Sequence, residues 1–122
     1  MSRRMSCSMT IDAVRDRSKT VTRRHVDTWI KLKPGDRLTL IEKGMGLPKG
    51  AKQVVLAEVE IVDVRTEPVW WIMAEPDGTI AEGLPHMNAV EFTRFWLKGH
   101  GYKDDPSTGR DVVCRRIEWR YL

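Results

Sequence analysis

Six consecutive residues, Lys19, Thr20, Val21, Thr22, Arg23 and Arg24, place three cations and two hydroxyls around one apolar side chain. Cations beside hydroxyls are what a protein needs to hold a phosphate, a carbonyl oxygen or the edge of a nucleobase. The planar fork of arginine suits phosphate or a guanine edge. A lysine partly buried among cations loses its proton more readily and can act as a base. A threonine hydroxyl beside such a lysine can be a nucleophile or can hydrogen-bond a substrate carbonyl. Far along the chain stands Glu82, followed by Gly83. A glutamate near the lysine can pair with it, relay a proton or accept from an amino group on a base. The same six residues also read as a polar, exposed edge strand, since Thr and Val favour strands and Lys and Arg are tolerated at edges. There is no Ser-His-Asp set, no glycine loop of the phosphate-cradling kind and no pair of catalytic acids.

Other chemistry-bearing residues are sparse. Cys7 and Cys114 are too few for a disulfide framework or a zinc site and read as small, buried, reduced side chains. His25, His86 and His100 lie far apart with no ligand spacing. Neither a metal nor another cofactor is expected. Net charge is only +4, but residues 1–25 hold seven Lys/Arg against two Asp, while the remaining residues hold fourteen Lys/Arg against fifteen Asp/Glu. The positive excess therefore surrounds residues 19–24 and favours an anionic partner, nucleic acid or a nucleotide first. The competing reading is a basic N-terminal arm without a partner.

The elements that must position these residues follow from length and pattern. At 122 residues, 41% hydrophobic and 31% charged, the chain suits one domain, residues 1–122, with one core and a well-solvated surface. No apolar run reaches a membrane span, and no apolar stretch follows Arg3 and Arg4 as a secretory signal requires. A cytoplasmic protein is expected.

Residues 5–9 read as a first strand, and Thr10 as the cap of a short helix over residues 11–17 with Ile11, Val14 and Arg15 inward. In a fully extended stretch Lys19 and Thr22 would point to opposite faces, so a shared site requires a turn near Lys19 and Thr20. Trp29 and Leu32 read as core anchors. The turn Lys33-Pro34-Gly35-Asp36 then leads into a strand over residues 37–43. Gly44, Gly46, Pro48 and Gly50 mark a loop, whose Lys43, Lys49 and Lys52 can extend a basic surface. Residues 53–65 form the longest strand-like run, with Val55, Ala57, Val59 and Ile61 on the inner face. Adjacent Trp70 and Trp71 lie in a short helix or turn over residues 69–74. Burial is the default for both, and the alternative role for one of them, Trp71, is a stacking platform for a base. Asn88 caps a helix over residues 89–98 with Val90, Phe92, Phe95 and Trp96 as apolar contacts. Residues 111–122 close the chain as a strand with Val113, Ile117, Trp119 and Tyr121 on one face. Short strands with helices inserted between them, not alternating as βαβ units, predict an α+β fold built on a small mixed β-barrel.

The motif Lys-Thr-x-Thr-x-Arg at Lys19 to Arg24, then Trp29, then Lys33-Pro34-Gly35-Asp36 before an apolar strand, then Glu82-Gly83, resembles the ASCH domain family of PUA-like β-barrels. The resemblance spans residues 5 to the C-terminus, and this version is similar to small stand-alone ASCH proteins often carried by bacteriophages, which would place the chain in a host cytoplasm. Some members are amidohydrolases that remove the acetyl group of N4-acetylcytidine with a Lys, a Thr three residues on and a later Glu. The resemblance implies Lys19, Thr22 and Glu82 in those roles and Arg24 as the motif arginine, with Arg23 at a variable position. Thr22 would attack the amide carbonyl, Lys19 would take its proton, and Glu82 would orient the group or relay the proton. Other members bind RNA or modified bases, for which Lys19, Thr20, Arg23, Arg24 and Trp71 are the contact residues expected here. Three outcomes stay open at this point: a module that recognises RNA or a modified nucleoside, a hydrolase acting on such a ligand by amide hydrolysis or RNA cleavage, and a protein-binding protein whose motif is structural. A monomer or weak homodimer is expected.

Overall fold

The computed structural model describes residues 3–44 and 47–122. Among the described residues five strands form one mixed sheet in the order β1-β3-β4-β5-β2. They are β1 (Arg3–Ser6), β2 (Val21–His25), β3 (Arg37–Ile41), β4 (Val55–Pro68) and β5 (Val113–Tyr121). Only the β1–β3 pair is parallel; β3–β4, β4–β5 and β5–β2 are antiparallel. The sheet curls into a half-barrel, and three short α-helices, α1 (Ile11–Arg15), α2 (Gly78–Ala81) and α3 (Ala89–Gly99), are inserted between strands. The α+β, mixed-barrel expectation holds.

The curl comes from bulges. In β4 the pairing with β5 slips between Ile61 and Asp63. An extra residue bends a strand and reverses which side chains face inward. Before the slip Val59 and Ile61 point into the concave side; after it Val64 does so, opposite Ile117. Val62, the surplus residue, is 45% exposed. A simple alternation through the strand therefore fails at this point, and Val55, read as interior, is exposed. A second slip lies between Leu40 and Ile41 of β3.

Two cores result, one on each face of the sheet. The concave face buries Met5, Val14, Leu38, Leu40, Val59, Ile61, Ile117 and Trp119. The opposite face buries Val69, Ile72, Leu84, Phe92, Trp96, Leu97 and Cys114 beneath α3 and a 3-10 helix at Val69–Ala74. Boundaries differ modestly from those read in the sequence. The first strand starts at Arg3 and α1 stops at Arg15, whose side chain is solvated beside Glu42 rather than turned inward. Helix α2 and a second 3-10 helix at Pro106–Arg110 went unforeseen. Val90 and Val113, expected in the core, are more than two-fifths exposed. The 44–50 loop passes through residues 45 and 46, which lie outside the described residues.

Candidate functional site

The rule that side chains alternate along a strand sorts the motif into two faces. In β2, Thr22 stands opposite Ile117 of β5 and so shares the concave face; Arg24, two residues on, joins it opposite Arg115. Arg23 stands opposite Arg116 on the other face. Lys19 and Thr20 precede the strand, after a reversal in which Arg17 takes a left-handed φ of 67°. The turn that a shared site required is therefore present, slightly earlier than expected. The main chain at Lys19 is pinned from β5: its carbonyl accepts from Trp119 Nε1 at 3.1 Å and from the Tyr121 hydroxyl at 2.5 Å.

A cavity of about 250 Å³ opens above this end of the barrel. Lys19, Thr22, Arg23, Arg24 and Glu82 line it, together with Ser6 of β1 and residues 7–10 after it, Leu84, Phe95 and Trp96 of α3, and His100 at that helix's C-cap. Lys19 is 3% exposed. Its Nζ donates to the main-chain oxygens of Val21 at 2.9 Å and Glu82 at 2.5 Å, and lies 3.9 Å from Glu82 Oε1. Burial pulls the Lys19 pKa below the ordinary lysine value; the Glu82 carboxylate opposes that shift without cancelling it. Arg24 donates from Nε to Thr22 Oγ1 at 3.1 Å and from a terminal nitrogen to the Ser6 carbonyl at 2.7 Å. The Thr22 hydroxyl accepts that bond and keeps its own hydrogen to give.

Glu82 reaches the cavity because α2 ends there and Gly83 takes a left-handed φ of 85°. A side chain at Gly83 would meet Ala13 Cβ and Thr10 Cβ at 3.0 Å, so this close approach requires glycine. The Glu82 carboxylate is held by Arg23: NH1 donates to Oε2 at 2.7 Å and the main-chain N–H to Oε1 at 3.3 Å.

Arg23 is the centre of an ion network behind the cavity. Its side chain is wholly buried. Beyond Glu82 it donates to Glu75 at 2.5 Å and to Glu67 at 3.4 Å. Burial alone would lower the pKa of Arg23, but Glu82 and then Glu75 raise it above the ordinary value. Arg116 bonds the other oxygen of Glu75 and also Glu118, while Arg65 bonds Glu67 at 2.6 Å. Arg23 was expected among the ligand contacts. It does line the cavity, and its terminal nitrogens are engaged by carboxylates.

Two expected contacts, Thr20 and Trp71, are not brought to the cavity. Thr20 lies outside it, its main-chain N–H bonded to Ala81 O at 2.8 Å. Trp71 sits elsewhere, against Arg65, Glu67, Glu75 and Pro76. It is 56% exposed, so burial of both tryptophans does not hold; Trp70 is half-buried with Arg110 over its ring. Cys7 borders the cavity and Cys114 lies under α3; burial pushes both thiols up, Cys114 to about 12, which leaves them protonated and unreactive.

The sequence reading missed Glu75, Trp96 and His100. Glu75 and His100 had no local signal, since only the fold carries them to residues 19–24. Trp96 was read as core, and it is, yet its Nε1 also donates to Arg23 O at 2.9 Å and ties α3 to β2. Among the described residues no group of three His, Cys, Asp or Glu side chains could hold a metal ion. No described helix is long and apolar enough to cross a membrane.

No protein-family model matches the sequence, and no curated protein does. Solved structures of similar shape exist. A hypothetical protein, PH0355, aligns over the whole of both chains with a TM-score of 0.62 and 18% identity. EF3133 of Enterococcus faecalis, of family DUF984, aligns over 94% of this chain and 71% of its own with a TM-score of 0.58 and 13% identity. PF0455 of Pyrococcus furiosus aligns over 100% and 98% with a TM-score of 0.55 and 18% identity. At these identities the likeness is one of fold.

Proposed function

We propose that the chain is an ASCH-type, PUA-like domain that binds a nucleobase or nucleoside, modified ones included, in the cavity between β2 and Glu82. The observation that carries this reading is the convergence of Lys19, Thr22, Arg24 and Glu82 on one pocket of about 250 Å³. Sites for drug-sized ligands span roughly 300–1,000 Å³. A pocket just below that range suits one base with its sugar, not a run of stacked bases. Its polar groups converge on one region and its far wall is aromatic, which matches a planar, polar heterocycle. RNA would enter as a single base turned out of its strand.

The test is equilibrium binding of a panel of natural, acylated and alkylated nucleosides, N4-acetylcytidine included, to wild type and to Lys19→Ala. The wild type binds at least one member, and the variant binds it at least tenfold more weakly while remaining folded by thermal melting. Failure of the wild type to bind any member overturns the reading.

The second reading, amide hydrolysis of such a nucleoside, is favoured by the state of Lys19. A neutral amine has two N–H donors and one lone pair. Two main-chain carbonyls take two N–H bonds from Lys19, and burial favours the neutral form. The lone pair can then take the proton of Thr22 as its oxygen adds to the amide carbonyl. The C–N bond breaks as that proton passes to the leaving amine, and water hydrolyses the acyl ester on Thr22. Glu82, held by Arg23, sets the field at Lys19. Mass spectrometry of the incubated panel reads this out: deacylated product forms with wild type and not with Thr22→Val.

A further inference from the structure

We propose that His100 is a ligand-contacting residue of this cavity, whose Nε2 accepts a hydrogen bond from an N–H of the bound heterocycle. His100 therefore makes the pocket selective for rings that carry an amino or amide N–H. The inference rests on the reading of the cavity as a nucleobase site and names one of its specificity determinants.

The protonation pattern of the ring follows from its partners. His100 Nδ1 lies 2.7 Å from the main-chain oxygen of Trp96. A carbonyl oxygen can only accept, so Nδ1 carries the hydrogen. In the neutral imidazole Nε2 then bears a lone pair and no hydrogen. The ring plane is fixed as well, stacked on the Trp96 indole with centroids 3.8 Å apart and planes 18° apart. Nε2 makes no hydrogen bond to any described residue, and the ring borders the cavity.

The rest of the cavity makes such an acceptor informative. Lys19 and Arg24 are donors. Both oxygens of Glu82 already accept from Arg23, the Ser6 carbonyl accepts from Arg24, and the carbonyls of Val21 and Glu82 accept from Lys19. A ligand ring with carbonyl oxygens is met by the cations, and an N–H on the same ring is met by His100. His100 is exposed at the rim of the cavity, so discrimination against an analogue that lacks the donor is that of one ordinary hydrogen bond.

The experiment compares cytidine, N4-acetylcytidine and N4,N4-dimethylcytidine against wild type, His100→Phe and His100→Gln, with folding checked by melting. Phe keeps the stack and removes the acceptor; Gln supplies a carbonyl oxygen in its place. Wild type prefers the two cytidines that carry an N–H over the dimethyl analogue by about fivefold or more, the worth of one ordinary hydrogen bond. That preference is absent in His100→Phe and partly restored in His100→Gln. An unchanged preference in His100→Phe overturns the role of His100 while leaving the nucleobase reading intact. A wild type that binds none of the three nucleosides overturns both.

Discussion

Arg23 shows how one residue's neighbours decide its role. Its terminal nitrogens face Glu67, Glu75 and Glu82, and its side chain has no exposed surface. Removing one partner of a buried charge cluster leaves the others unpaired in a medium that solvates them poorly, at a cost of about 3–5 kcal/mol. Arg23→Met is therefore expected to lower unfolding free energy by about that amount in a denaturant titration, more than any single change on the cavity wall. It also frees Glu82, so cavity binding weakens in whatever fraction stays folded. Arg23→Lys does not rescue, because an ammonium lacks the planar fork that spans separated carboxylates. Trp71 gives the contrast. It lies beside Glu67 and Glu75 and away from the cavity, and Trp71→Ala is expected to leave nucleoside affinity and melting temperature nearly unchanged. A large loss of affinity there would move the site to the other face of the sheet.

At the scale of elements, α3 and the α2–Gly83 turn are the two pieces that close the cavity. Helix α3 starts with a complete capping box: Asn88 Oδ1 accepts from Glu91 N at 2.8 Å, and Glu91 Oε1 accepts from Asn88 N at 3.0 Å. Asn88→Ala should cost about 1 kcal/mol, visible as a lower melting temperature, while Trp96 and His100 keep their positions once the helix is formed. The turn is less forgiving. Gly83→Ala forces a left-handed residue with a Cβ into contact with Thr10 and Ala13. The expected penalty is about 1–3 kcal/mol, and because Glu82 is the adjacent residue, affinity for the cavity ligand falls with it. A Gly83→Ala protein that binds normally would show that Glu82 does not need this turn.

For the molecule as a whole, charge pairing sets the response to acid. Burial alone would raise the Glu75 pKa, but Arg23 and Arg116 together hold it below the ordinary carboxylate value. A carboxylate with a lowered folded-state pKa contributes stability that is present above its unfolded value. That contribution is lost as pH falls through the folded one. Stability is therefore expected to drop as pH falls below about 4, where free carboxylates take up protons. Glu75→Gln should be less stable at neutral pH and should lose less on acidification; parallel curves would remove Glu75 from the account. The basic excess of residues 1–25 is also distributed by the fold. Arg23 is consumed inside, Arg3 lies over Trp29, Arg15 pairs with Glu42 and Arg17 lies over Tyr121. Nucleoside binding should accordingly show only a shallow dependence on salt, in contrast to the steep slope of a protein that tracks a phosphate backbone.

The amino-acid order by itself determined the local matters: the cap at Asn88, the turn at Gly35, the strand character of residues 37–41 and 113–121, and the grouping of Lys19, Thr22 and Arg24. These depend on propensity and on a period of two or 3.6 residues, which neighbours in the chain carry. It also marked Glu82-Gly83 as a landmark, though not why Gly83 is glycine. Tertiary structure alone decided the bulge at Val62, because a surplus residue is defined only against the partner strand. It alone set Arg23 apart from Thr22 and Arg24, since a cation becomes structural when buried carboxylates from distant segments surround it. Glu67, Glu75 and His100 join the site for the same reason. Arg23, which Glu67 and Glu75 meet, and the β2 side of the cavity, which His100 borders, sit tens of residues away along the chain and close in space.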